Sequence, residues 1–375
     1  MSINAQTPVS PGLWALAWRR LRADKIAMGS MAIVIAFLLM LVASSLGLVA
    51  ADWEEEVGVN YAPPTFMGPQ TAAERGVEGA AASTEALPEN PLDPLADVIR
   101  ELRAQGESGA NSDPTAGLDT YGVVDPLAAE LAEIRGTLAK EGTKAVAKRQ
   151  ETLPFGADKW GHDIIKKTIK GSETSIVVGL VAALLATVLG TIFGAFSGYF
   201  GGKVDDFFNW FYSIFTSIPS ILMILAVAAV LQKKGVLTIV LILGLTGWTG
   251  AYRLIRAEYM KHKAREYVMA ADAIGASHFR KMFSHIFPNV SHVALVQMSI
   301  LVVGFIKAEV ILSFLGFGVP VGVVSWGSML NEAQNELILG KWWQLVAASI
   351  GMAVLVTAFS LFTDSLRDAL DPKLK

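Results

Sequence analysis

The chain has 375 residues, 53% of them hydrophobic and only 17% charged, with no cysteine, five histidines and a formal net charge of −3. Soluble domains carry about 25% charged residues, so this composition belongs to a bilayer protein. It excludes a strongly basic nucleic-acid binder, and the absence of thiols excludes disulfides, thiolate chemistry and cysteine metal sites.

Six stretches approach the roughly 20 apolar residues that a spanning helix needs. In chain order they are 26–50, 175–196, 208–231, 236–252, 292–317 and 342–362, the fourth being the shortest. The first is too long for the roughly 7–15-residue core of a cleaved signal peptide and reads as a retained helix. Arg19, Arg20, Arg22 and Lys25 precede it, which places residues 1–25 in the cytoplasm by the positive-inside rule. Six spans return the C-terminus to the same side. The loop at 253–290 falls inside as well and carries seven lysines and arginines, among them Arg253, Arg265 and Lys281. Lys233 and Lys234 fall outside, a minor exception.

Residues 51–152 form an external insertion rich in Pro, Gly, Ala, Glu and Asp, with parts expected to be disordered. Asp93-Pro94 and Asp125-Pro126 each open a run with apolar residues at helical spacing, and Asp then Pro is a sound helix start. The two helices would make either a hairpin cap that receives an external protein or a tolerated loop insertion.

Along the second span, Gly190, Gly194 and Gly198 recur every four residues, a pattern that lets helices pack closely in membranes. Pro219 is expected to kink the third span. Lys307 and Glu309 lie within the fifth span, two residues apart and so on different faces. Ionisable groups at that depth line a pathway or make a buried polar contact. His278, His285 and His292 are seven apart, but Pro288 interrupts any shared helix face and no carboxylate stands in register, so no metal site is predicted.

The most informative stretch is the inner loop. Residues 265–274 favour a helix, and Ala270, Ala271 and Ala273 give it a small-residue face able to enter a cleft in another protein. Gly275 offers the positive φ that stops a helix, Ser277 offers a cap for a second one, and Pro288 is expected to end that second helix before the fifth span. On these residues alone the loop is either a rigid docking lever or an interfacial amphipathic helix on the inner leaflet.

The same loop resembles the cytoplasmic coupling loop of the permease subunits of ABC importers, in their oligopeptide/dipeptide branch. Glu266, Ala270, Ala271, Gly275, Ile286 and Pro288 match that signature, with Phe287 standing where the family usually has Leu. The similarity extends to Leu153-Pro154-Phe155-Gly156-Ala157-Asp158-Lys159-Trp160-Gly161-His162-Asp163, to Ser197-Gly198-Tyr199-Phe200-Gly201-Gly202-Lys203-Val204-Asp205, to Leu312-Ser313-Phe314-Leu315-Gly316 and Ser325-Trp326-Gly327-Ser328-Met329-Leu330, and to Asp364-Ser365-Leu366-Arg367-Asp368 near the C-terminus. It covers the first span and residues 153–375, while the insertion departs from the compact members. Glu309 matches the family's Ala-Glu before Ser-Phe-Leu-Gly.

The resemblance implies an all-α integral membrane protein of type I ABC-importer permease architecture. It would have six transmembrane helices and cytoplasmic coupling helices, in the bacterial inner membrane with both termini cytoplasmic. Glu266, Tyr267, Ala270, Ala271, Gly275, Ala276, Ile286 and Pro288 would be the ATPase-coupling residues. The implied partners are a second, homologous permease subunit, two cytoplasmic ABC ATPases, an external substrate-binding protein and membrane lipid, with no nucleic acid. No Gly-x-x-x-x-Gly-Lys-Ser/Thr loop occurs, since Gly201-Gly202-Lys203 is followed by Val204. ATP and Mg would therefore be bound by partner ATPases, and this chain is expected to hold no cofactor, no metal and no catalytic residue. Peptide import by alternating access is the expected function. The rival readings are an ATP-independent secondary transporter, which would carry inverted repeats, and a membrane-anchored interaction protein acting through the external insertion.

Overall fold

The computed structural model describes residues 13–69, 149–320 and 322–370. The chain divides into two compact units, Met1–Met67 with Thr152–Lys375, and Gly68–Glu151. The two helices expected from Asp93 and Asp125 lie outside the described residues. The first unit is built from eleven described α-helices and a short 3-10 turn at Thr65–Met67, with no β-strand among the described residues and only two isolated bridges, Pro64 with Leu153 and Ala157 with Asp163.

Helix α1 (Leu13–Ala23) was not among the elements expected from sequence. It is too short and too polar to span, and it docks Ala17 and Leu21 on Ala369 and Leu370 at the far end of the chain. The described ends of the chain therefore share one end of the bundle. Asp24 then caps α2 (Lys25–Ser45) by accepting a hydrogen bond from the Ile26 N–H at 2.8 Å.

Helix α3 (Ile164–Phe200) is 37 residues long, well beyond the expected 175–196. At 1.5 Å per residue it reaches about 55 Å, against about 30 Å of hydrocarbon. Its extra first turns carry Lys166, Lys167, Lys170 and Glu173, which hydropathy alone reads as loop. Asp163 caps its start through the Ile165 N–H (2.8 Å), and Gly201, at φ +69°, ends it.

The third and fourth expected spans are each broken. Helices α4 (Gly202–Thr216) and α5 (Ser220–Leu231) meet at 83°. Pro219, which has no N–H to continue the ladder, stands at the break. Helices α6 (Val236–Thr246) and α7 (Thr249–Lys263) meet at 40°. The bend is packed by Trp248, which is 1% exposed and contacts Phe193, Phe211 and Phe215 at ring separations of 5.2–5.4 Å.

After the short helix α8 (Glu266–Ala273), helix α9 runs unbroken over His278–Phe314. Pro288 was expected to end a helix here, and it does not. A π turn at Lys281–Ile286 precedes it, in which the Phe287 N–H reaches back to Met282 O, so the ladder has already shifted register where proline lacks its donor. Helix α10 (Trp326–Ile338) was also not expected, and α11 (Trp343–Leu370) is longer than 342–362. Four described helices are long and apolar enough to cross a membrane, or six spans if each bent pair counts as one.

The main core gathers around the alanine-rich face of α3. Ala182, Ala183 and Ala186 meet Ile239 and Leu243 of α6 and Val302 and Ile306 of α9. A second core at the α8 end joins Tyr199, Ile255, Tyr259, Val268, Met282 and Ile286. Outward, α2, α4 and α5 expose apolar side chains such as Leu39, Trp210, Leu222 and Val230, as a lipid-facing surface requires.

Candidate functional site

The loop between α7 and α9 holds one short helix, α8, followed by a capped turn into the start of α9. Arg265 is extended (ψ 149°) and starts α8, whose first turn carries Glu266, a favourable place for a carboxylate against the helix dipole. The helix ends in a Schellman closure: Ala276 N–H bonds Ala271 O (3.0 Å) and Gly275 N–H bonds Asp272 O (2.9 Å), with Gly275 at φ +76°. Nothing lies within 4 Å of a Cβ built on Gly275, so backbone conformation rather than space makes glycine the residue there. The Ser277 hydroxyl accepts from the Arg280 N–H (3.3 Å) and starts α9.

Three ties hold this loop to the spans. Lys281, nearly buried, pairs with Asp272 and holds its carboxyl below the usual carboxylate range. Tyr199 at the end of α3 meets His278 Nδ1 at 3.0 Å. The Tyr259 hydroxyl, fully buried on α7, donates to Met282 O inside the π turn (3.2 Å). A single carbonyl thus accepts from α7 and from the shifted backbone ladder of α9.

The coupling residues expected from sequence separate by exposure. Glu266, Tyr267, Ala270, Gly275 and Pro288 are exposed, and Ala276 is half-buried. Ala271 packs inward at 4% exposure, and Ile286, fully buried, belongs to the core beneath the loop. The exposed face gains Met269, Ile274 (84% exposed) and Phe279, none of them among the coupling residues expected from sequence. Large apolar side chains at a polar loop tip are the signal that could have found them.

The small-residue stripe on α3 lies against α7 along its length. A Cβ on Gly190 would come within 2.6 Å of Trp248 O, one on Gly194 within 2.8 Å of Tyr252 O, and one on Gly198 within 2.5 Å of Arg256 O. Nearby, Arg256 makes a two-pronged pair with Asp205, both bonds 2.6 Å, and Tyr252 reaches Ser197 (3.0 Å) and Asn209 (3.2 Å). This network ties α3, α4 and α7 together.

Glu309 is fully buried and accepts from the Ser175 hydroxyl and the Ser313 hydroxyl, each at 2.6 Å. Ser175 in turn accepts from the Trp326 N–H (3.3 Å), so one chain of bonds links α10, α3 and α9. Lys307 is exposed and apart from it.

At the end of the bundle opposite α8 lies a network absent from the expectations. Lys167 Nζ donates to Asp158 (2.7 Å) and Glu332 (2.6 Å) and approaches Gln344 Oε1 (3.4 Å). Asp158, fully buried, also accepts from the backbone of Trp160 and His162 and meets the His162 ring at 2.9 Å. Burial pushes the Asp158 carboxyl up, and the charge and hydrogen bond of Lys167 outweigh it, leaving the group below its ordinary range. One turn after Glu332, Glu336 is 1% exposed and neither of its oxygens has a hydrogen-bond partner among the described residues. Burial raises its pKa to about 7 against the pull of Lys167, and the charges of Asp158 and Glu332 add to the rise. Among the described residues no group of three or more His, Cys, Asp or Glu is arranged to hold a metal ion.

Comparison with known proteins agrees with this architecture. The family described as binding-protein-dependent transport system inner membrane component matches residues 190–375, and the N-terminal TM domain of oligopeptide transport permease C matches residues 12–64. The dipeptide transport system permease protein DppC of Bacillus subtilis (strain 168) is 33% identical over 221 residues, covering 59% of this chain and 69% of its own length. The oligopeptide transport system permease protein OppC of the same organism is 37% identical over 221 residues, 59% of this chain and 72% of its own. OppC of Salmonella typhimurium is 37% identical over 219 residues, 58% and 72%. A chain of the solved inward-facing MetNI methionine ABC transporter aligns with 55% of this chain and 96% of its own at 14% identity and a TM-score of 0.40, too low to add to the assignment. The all-helical bundle, its broken spans and these matches together make the chain a multi-pass member of the binding-protein-dependent transport system inner membrane components, in the oligopeptide/dipeptide permease branch.

Proposed function

We propose that this chain is a membrane subunit of an ATP-driven peptide importer and that α8 is the element through which a separate ATPase moves it. The observation that carries the reading is the construction of the α8 loop. It presents Glu266, Ala270, Met269 and Ile274 outward while Lys281, Tyr199 and Tyr259 fix it to the spans. A push on α8 is then delivered to α7 and α9 rather than absorbed in a flexible loop. The α8 end is the cytoplasmic one, in keeping with Arg19, Arg20 and Arg22 on α1 and the seven basic residues at 253–290. Two ATPases, a second permease and an external binding protein complete the assembly, and ATP with Mg resides in the ATPases. Peptide cargo follows from the kinship with dipeptide and oligopeptide permeases. Transport proceeds by alternating access, each closure of the ATPases shifting the two-state equilibrium of the spans.

The experiment is peptide uptake in cells carrying Gly275→Pro or Glu266→Lys, with membrane level of the protein measured in parallel. Both variants are expected to insert normally and to lose ATP-dependent uptake. Normal uptake by a well-inserted variant would overturn the assignment of α8. Affinity purification in mild detergent tests the partners: a Walker-motif ATPase and a second permease are expected in the eluate.

A further inference from the structure

Between the inner ends of α7, α9 and α11 lies a cleft of about 730 Å3. Its polar half holds Arg265 at the start of α8, Arg367 near the end of α11, and Lys261 and His292. Its apolar half is made by Leu254, Val293, Val296, Ile300 and Leu370. The single carboxylate in the lining, Glu258, is already engaged, bonded to Lys261 at 2.8 Å and 3.6 Å from His262 Nε2. The guanidinium groups of Arg265 and Arg367 make no hydrogen bond or ion pair among the described residues. They come from positions far apart in the chain and face one cavity, so two forked cations stand there uncompensated beside an apolar wall.

That combination selects an anion with an apolar tail. A free inorganic anion would satisfy the guanidiniums and leave the wall of Leu254, Val296 and Ile300 wet. A zwitterionic lipid would satisfy the wall and set its own cation against the arginines. The cleft lies at the ends of helices that cross the bilayer, where headgroups are, and its size suits a headgroup with the first carbons of its chains. We infer that this cleft is a binding site for one anionic phospholipid, its phosphate held by Arg265 and Arg367 and its acyl chains laid along α7 and α9. Tyr267 of α8 lines the same cleft, so the bound lipid braces the coupling element against α9 and α11. The leaflet assigned to the lipid rests on the orientation proposed above, whereas the binding itself does not.

The test uses the full-length chain in nanodiscs of phosphatidylcholine containing a minor fraction of phosphatidylglycerol, followed by native mass spectrometry through stepwise delipidation. The wild type is expected to retain one phosphatidylglycerol after phosphatidylcholine has gone. Each of Arg265→Gln and Arg367→Gln is expected to weaken retention about fivefold, and the pair about thirtyfold. Lys233→Gln with Lys234→Gln, at the opposite end of the bundle, is expected to leave it unchanged. A photoreactive phosphatidylglycerol on the wild-type chain, which needs no variant to fold, is expected to attach to peptides of α7 or α9 bordering the cleft. Undiminished retention in the double arginine variant, phosphatidylcholine held as firmly, attachment elsewhere, or displacement by millimolar inorganic phosphate would each overturn the lipid site. None of these results depends on uptake, so failure of the coupling assignment and failure of the lipid site remain distinguishable.

Discussion

Replacing Glu336 by glutamine should make the protein more stable at alkaline pH and leave it unchanged in acid. The side chain is 1% exposed and its oxygens lack hydrogen-bond partners among the described residues, so its charged form is costly in the folded state. Its pKa rises from an ordinary 4.5 to about 7. Below pH 4.5 the carboxyl is protonated in both folded and unfolded chains and contributes nothing to the pH dependence. Between 4.5 and about 7 the unfolded chain releases the proton first, so stability falls as pH rises, and above 7 the penalty is complete. A carboxyl raised from 4.5 to about 7 corresponds to about 3 kcal/mol of lost stability at pH 8. Glutamine has the shape of the neutral acid and no proton to lose, so the variant should escape that loss. The assay is thermal unfolding of wild type and Glu336→Gln in the same detergent at pH 5 and pH 8. The wild type should lose several degrees of Tm between the two, the variant far less, and most of the gap between them should have closed by pH 5. Parallel pH dependence in the two proteins would refute the reasoning, because the penalty would then reside in another group.

Four further substitutions test the packing and the backbone. Gly194→Ala should destabilise the protein by about 1–3 kcal/mol, because its Cβ would sit 2.8 Å from Tyr252 O and 2.9 Å from Arg256 N. Gly304→Ala, with nothing within 4 Å, should be neutral or mildly stabilising, and fluorescence-detected size exclusion after heating separates the two. Lys167→Met should cost about 3–5 kcal/mol by leaving the fully buried Asp158 without its cation, and adding Asp158→Asn should recover part of the loss in the same heating assay. Gly275→Ala should cost about 1–2 kcal/mol through its φ of +76° alone, reducing uptake less than Gly275→Pro at equal membrane level.

Six apolar stretches were legible because hydropathy reports burial in lipid, but it does not report where a helix ends. Helix α3 begins at Ile164, eleven residues before the expected Ser175, because Lys166, Lys167, Lys170 and Glu173 are helical although too polar to count toward a span. Helix α10 carried its own signals, a capping box between Ser325 and Ser328 and buried Trp326, Met329 and Ala333 at helical spacing, both hidden behind an apolar average too low for a span. In the inner loop, Gly275 and Ser277 announced the end of one helix and the start of the next, since each position is set by local backbone chemistry. Pro288 misled because a π segment of six residues can absorb a proline that would otherwise end a helix. The Lys167 network was beyond any local pattern, because its members Lys167 and Gln344 are 177 residues apart.

Helix α3 joins the two polar regions of the molecule, with Lys167 in its first turn at one end and Tyr199 against His278 at the other. It has no proline and no break over 37 residues. Such a rod transmits displacement by tilting rather than bending. At about 55 Å, a tilt of about 5° moves its tips by about 5 Å relative to each other, close to one helical pitch. Ala251, Ile255 and Tyr259 of α7 seat against Gly190, Gly194 and Gly198, and Ser197 bonds Tyr252, so α7 is carried with the rod. The carboxylate cluster around Lys167 at one end and the α8 loop at the other are therefore joined by a single stiff arm.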